Sequence, residues 1–357
     1  MSAGPIRTHS AGPAAAPAAD AIRTFDAALA ALDADFPADP HEAVRHFRRL
    51  ARLLHPDAAP PGRAAEAAVA FARLSARRHG ADGGHTDHGR ATVTTARRSY
   101  VLGDVLATGD LAVLRTAHYD EDGDRRTAVL KIPLRPRDND LLEHEADVLG
   151  RLDTVAERRH RAYAPRLIES FRHRDTDGVE RRVNALAPLT GFHSLAEVAA
   201  AHPDGLDPRD AAWMWRRLLT ALGWAHRARL VHGAVFPEHI LVHPELHGLV
   251  LVDWCYATAV GTHVPLLVDR HQDAYPPEVP ARRPATPATD IHLAAHCLRT
   301  LMGERAPGPM RAFLRACVLP SQAARPQDAW QLLADLDGLL ERLYGPRTFR
   351  PFAMPRS

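Results

Sequence analysis

Two kinds of hydrophobic spacing alternate along the chain. In the stretch HEAVRHFRRLARLL the apolar positions Val44, Phe47, Leu50, Ala51 and Leu54 recur at helical intervals, while Arg45, Arg48, Arg49 and Arg52 gather on the opposite side. Asp39-Pro40-His41-Glu42 supplies the start of this helix: a cap, a proline at the first helical position and a glutamate three residues after the cap. His55-Pro56-Asp57 ends it, because proline disfavours helix in the residue before it and cannot continue the hydrogen-bond ladder. A second helix is predicted over 64–78, with Val69, Phe71 and Leu74 placed to pack on the first. From Ser99 the period changes to two. Tyr100–Ala107 and Leu111–His118 read as strands around Thr108-Gly109-Asp110, and the turn Glu121-Asp122-Gly123-Asp124 leads into a third strand that carries Lys131. Helical spacing returns over 138–152, where Leu141, Leu142, Val148, Leu149 and Leu152 form a stripe with Glu145 inside it. Asp207-Pro208-Arg209-Asp210 opens a long helix, and Gly248–Asp253 has the make-up of a short buried strand. Strands first and helices later make an α+β order.

A length of 357 residues suggests about two domains. With 46% hydrophobic and 25% charged residues the composition is that of a soluble globular protein, and no run of apolar residues is long enough to span a bilayer. A net charge of +2 gives no global field toward nucleic acid or an anionic membrane, so neither is expected as a partner. Cys255, Cys297 and Cys317 form no CxxC pair and read as buried thiols, which suits a reducing cytoplasm. Residues 1–20, small and interrupted by prolines, read as a disordered tail without the apolar core of a signal peptide. The glycine-rich stretch 79–98 reads as a flexible linker, its His79, His85 and His88 solvated rather than metal-bound, and 346–357 reads as a second tail. Lysine occurs once, at Lys131, among 45 basic residues. In a chain that otherwise writes arginine, this position calls for a compact point charge on a flexible stem.

A basic helix, an HPD turn and an antiparallel helix over residues 21–78 closely resemble the J domain. The resemblance implies that His55, Pro56 and Asp57, with Arg45, Arg48, Arg49 and Arg52, engage a DnaK-type chaperone and stimulate its ATPase.

Glu145 on an apolar face needs a partner, and the unique Lys131 is the obvious one. A strand lysine followed by a helix glutamate resembles the ion pair of protein kinases. The likeness runs over about 99–345, with an N-lobe at 99–189 and a C-lobe at 190–345. Leu230-VHGAVFPEHILV-His243 followed by GLVLVDW resembles the kinase catalytic loop and metal-binding turn. Aligned on HRDLKPEN, His232 and Pro237 keep their identities, and Asp253 takes the place of the metal-chelating Asp. The Arg is Gly233, the catalytic Asp is Ala234, the Lys is Phe236 and the metal-binding Asn is His239. Tyr275-Pro276-Pro277-Glu278 stands where the activation segment ends, Asp290 where an aspartate ties down the catalytic loop, and Arg325 where an arginine pairs with that glutamate. The resemblance implies a bilobal pseudokinase in which Lys131, Glu145, Asp253, Gly103 and Gly109 are candidate nucleotide contacts and Asp253 a candidate Mg²⁺ ligand. ATP with Mg²⁺ is an optional ligand rather than a requirement. The expected whole is a co-chaperone or scaffold, with a client of unknown identity. Two enzyme readings stand beside it: an atypical protein kinase with Glu238 as base, and an aminoglycoside-type phosphotransferase, whose HGD loop also lacks its aspartate at Ala234.

Overall fold

Asp122 and Gly123 adopt left-handed backbone (φ 54° and 86°), the geometry of a type I′ turn that matches the twist of a hairpin. The strands on either side, β3 (Ala112–Glu121) and β4 (Asp124–Pro133), therefore pair without a slip from Glu121 opposite Asp124 to Ala112 opposite Pro133. In this structure, a computed structural model, the described residues are 22–32, scattered positions between 34 and 74, 91–155, 157–175 and 178–355. The proposed tail 1–20, the HPD residues His55, Pro56 and Asp57, Arg48, Arg52 and the linker histidines lie outside them. The chain divides into two units, 1–89 and 90–357.

The first unit builds one small core. Helix α1 (Phe25–Ala31) starts at Thr24, whose hydroxyl accepts the Ala27 N–H at 3.2 Å. The Asp39 side chain accepts the Glu42 N–H at 2.8 Å, as the helix-start signal predicts. Ile22, Phe25, Ala28 and Leu32 meet Leu50 and Leu54 and, at helical spacing, Ala67, Ala70 and Leu74. Arg63 ties the ends together: it bonds Asp26 and Glu66 and lies over the Phe25 ring at 4.6 Å.

The second unit is α+β. Its antiparallel sheet has the order β1-β2-β3-β4-β6-β5, with β1 at Thr92–Thr94, β2 at Ser99–Thr108, β5 at Leu167–Arg174 and β6 at Glu180–Leu186. The stretch 79–98 is thus not linker to its end: Thr92–Thr94 pairs with Ser99–Val101 because two threonines and a buried valine favour an edge strand. Helix α2 (Asn139–Val155) buries Leu142, Val148, Leu149 and Leu152, as its stripe predicts. The helical half is arranged around α4 (Pro208–Arg227), with α3 (Leu195–Ala201), α5 (Pro287–Met302), α6 (Gly308–Cys317) and α7 (Ala329–Tyr344). Short strands β7 (His193–Ser194), β9 (Ile240–His243) and β10 (Gly248–Leu251) form a small sheet, and β8 (Leu230–Val231) pairs with β11 (Thr258–Ala259). The segment after α7 is not a tail. Phe352 joins the core, and Arg350 reaches Asp210 at 2.7 Å and Asp207 at 3.3 Å, so an aromatic anchor and two ion pairs hold it on α4. All three cysteines are free and buried. No helix among the described residues is long and apolar enough to cross a membrane.

Candidate functional site

Strand register places the first group. Lys131 on β4 stands opposite Asn184 on β6, and α2 lays Glu145 between them. The Lys131 ammonium donates to Glu145 Oε1 at 2.7 Å, and Asn184 Nδ2 donates to Glu145 Oε2 at 3.1 Å. Asn184 is itself fixed, donating to the Leu142 carbonyl (2.9 Å) and accepting from Ser170 Oγ (2.6 Å). Glu145 is therefore held from both sides inside the sheet–helix interface, which answers the cost of burying it.

Asp253 comes from the other direction. It follows β10 with left-handed backbone (φ 64°, ψ 48°), a region that aspartate tolerates better than most residues. The turn is clamped by Trp254, fully buried, whose indole N–H donates to the Leu251 carbonyl at 2.7 Å. From α2, His144 Nε2 donates to the Ala257 carbonyl at 2.7 Å, tying helix to turn. The Asp253 carboxylate then accepts from Lys131 at 2.6 Å. One ammonium thus joins strand, helix and turn. Burial disfavours the charged form of each group, but Asp253 and Glu145 raise the Lys131 pKa well above its ordinary value. Likewise Lys131, and after it His239, hold Asp253 well below the usual carboxylate range.

Two positions of the loop 232–239 carry no titratable group. The candidate position for a catalytic carboxylate is Ala234, fully buried, and Phe236 is packed in the core against the rings of His271 (4.2 Å) and Tyr275 (5.1 Å). Gly233 has φ 74°, and a Cβ there would meet the Tyr256 carbonyl at 3.0 Å, so a larger residue is strained at this point. His232 is structural: its Nε2 donates to the Val252 carbonyl (2.9 Å), its Nδ1 faces the Ala234 N–H, and burial lowers its pKa to about 4. Asp290, buried at the start of α5, accepts from the backbone N–H groups of His232 (2.8 Å) and Gly233 (2.9 Å) and from His226. Glu278 and Arg325 form a buried bidentate pair at 2.6 and 2.9 Å.

His239 changes the chemistry most. Its Nδ1 donates to the Ala234 carbonyl at 2.8 Å, and its Nε2 lies 3.1 Å from the second oxygen of Asp253. One Asp253 oxygen accepts from Lys131, and the other lies nearest His239. Glu145, Asp253 and Cys255 have ligand atoms close enough to share an ion. The donor set nonetheless does not fit Mg²⁺: an ammonium already bridges the two carboxylates, burial raises the Cys255 thiol well above its ordinary value, and a hard cation asks for oxygen ligands.

The two glycines lie on β2 and in the turn that follows it. A Cβ on Gly103 would lie 2.2 Å from Thr116 Oγ1, and its carbonyl accepts from Arg115 at 2.9 Å, so this glycine serves the β2–β3 contact. Strand β2 is irregular between Leu102 and Ala107. Gly109 sits in the β2–β3 turn, where the neighbouring Asp110 accepts from Arg270 at 3.0 Å. Arg270 also lies 3.7 Å from Glu238, which His271 engages at 2.9 Å. Burial opposes ionisation of Glu238, yet His271 and Arg270 help keep its pKa low. In the first unit Arg45 is exposed and pairs with Glu42, whereas Arg49 donates to the Ile22 carbonyl at 2.7 Å and so holds the unit's own start. Asn184, Arg270 and the αL turn at Asp253 carry no sequence signal of their own; only register and loop path bring them here. Compared with known proteins, the chain matches no protein-family model and no curated protein.

Proposed function

We propose that the second unit is a protein-kinase-like domain of bilobal plan that holds ligands or partners without transferring phosphoryl groups. The first unit acts as a J-like module toward a DnaK-type chaperone, so that the whole serves as a cytoplasmic co-chaperone or scaffold. The observation that carries this reading is the Lys131 ammonium between Glu145 and Asp253, assembled beside a loop that offers Ala234 where a base is required and His239 where a metal ligand is required. Absence of a positioned base lowers a rate typically by about 10²–10⁴-fold. Phe236, turned into the core, supplies no charge to a migrating phosphoryl group. Glu238 is a poor replacement base, its carboxylate being engaged by His271 and Arg270 and its basicity lowered. Lys131 still has an N–H for a phosphate oxygen, since an ammonium has three donors and two serve carboxylates.

A nucleotide in this site would meet Lys131 and His239 where other sites present a divalent cation. Stabilisation by ATP in a thermal-shift titration is expected to be the same in EDTA as in excess Mg²⁺. A shift that needs Mg²⁺ would contradict the misfit of this donor set to Mg²⁺. For the first unit, the HPD sequence beside a basic helix supports chaperone contact. His55→Gln is expected to abolish stimulation of the cognate DnaK-type ATPase while leaving far-UV circular dichroism unchanged; absence of stimulation by the unaltered protein would remove this half of the reading.

A further inference from the structure

We propose that the second unit carries a separate binding site for a phosphate-class oxyanion, in an arginine-lined cavity between α4, the β9–β10 turn, α7 and the segment after it. The cavity, of about 180 Å³, is lined by Trp213, Arg216, Arg217, Thr220, His247, Leu333 and Arg347. It shares no residue with the Lys131 site, and the inference is independent of the kinase-like reading.

Helical spacing creates the wall: 213, 216, 217 and 220 fall on one face of α4. His247, at a turn with φ 50°, lies flat on the Trp213 ring (4.1 Å between centroids, 6° between planes), and Phe349 covers its other side at 4.6 Å. Arg217 is pre-oriented: its Nε donates to the His247 carbonyl at 3.0 Å and its Nη1 to the Tyr163 hydroxyl at 3.3 Å. Arg216 has an acidic partner, Asp337, but neither Arg217 nor Arg347 has one among the described residues. Burial, and after it the charges of Arg347 and Arg217, bring the Arg216 pKa down in spite of Asp337. Three guanidinium groups thus repel one another around a space that an anion would neutralise.

Trp213 and His247 are each only 8% exposed, so the stacked pair forms a fixed part of the cavity wall. The volume is below that of pockets for drug-sized ligands, about 300–1,000 Å³, and suits one tetrahedral oxyanion carrying at most a small substituent. Guanidinium forks bind such oxyanions through paired N–H donors.

The test is a titration of the full chain with inorganic phosphate, and in a second arm with a small phosphomonoester, each against chloride at equal ionic strength. The readout is the Trp213 indole ¹⁵N–¹H resonance, identified by its loss in Trp213→Phe. A saturable shift of that resonance is expected, with tighter binding in one arm telling a free phosphate from an esterified one. Arg347→Gln, on an exposed residue with no partner to disturb, is expected to weaken binding about tenfold, the effect of losing one charge-assisted hydrogen bond. Arg217→Gln also loosens the His247 turn, so Arg347→Gln is the deciding variant. A resonance unmoved by either ligand, or an affinity unchanged in Arg347→Gln, would overturn the proposal.

Discussion

Lys131 shows why a chain rich in arginine keeps one lysine. Its ammonium fits between two carboxylates at 2.6 and 2.7 Å with the side chain almost wholly buried; a planar guanidinium needs more room and a different set of acceptors. Removing one member of such a group leaves a buried charge uncompensated. Glu145→Ala is expected to cost about 3–5 kcal/mol in urea unfolding. Adding Lys131→Met to Glu145→Ala should recover part of the loss; strictly additive effects in the double-mutant cycle would mean that the pair is not coupled. The partners Lys131 and Glu145 were legible because each broke a local rule: a lone lysine, and a carboxylate in an apolar stripe. Asn184 broke none. Its place follows from the β4–β6 register, and nothing in a seven-residue strand containing Arg181, Arg182 and Asn184 announces that register.

At the scale of elements, the loop 232–239 is a rigid connector. Asp290 holds its backbone N–H groups and the neutral His232 ring is satisfied on both nitrogens. This gives a pH dependence with a definite sign. A histidine held near pKa 4 in the fold but at about 6.5 unfolded takes up its proton more readily when unfolded, so stability is full above pH 6.5 and falls as pH drops toward 4. His232 alone should remove about 2 kcal/mol between pH 7 and pH 5. Burial lowers His247, His292 and His296 in the same direction. Urea melts at the two pH values check this, and stability that is flat or rises toward pH 5 would contradict it. Turns and caps were the readable part of these elements: the Asp122-Gly123 turn, Asp207 before α4 and Asp39 before its helix each use local chemistry. Strands β5 and β6 were not readable, since Arg172, His173, Arg174, Arg181 and Arg182 blur the alternation, and β1, three residues long, is too short to show one.

For the whole molecule, the α+β plan of the second unit follows from the order of its elements, whereas its closing contacts depend on segments distant in sequence. Arg270 reaches Asp110 across 160 residues, and Arg350 reaches Asp207 across 143. Such pairs join exposed or half-exposed charges, whose partners local sequence does not specify. Arg270 places one cation between the β2–β3 turn and Glu238. The central claim, that this arrangement holds its charges without moving a phosphoryl group, is tested most directly by incubating the full chain with γ-labelled ATP, Mg²⁺ or Mn²⁺, and protein and aminoglycoside acceptors, beside an Asp253→Ala variant. The account predicts no label transfer above that of the variant; transfer by the unaltered chain that disappears in Asp253→Ala would contradict it.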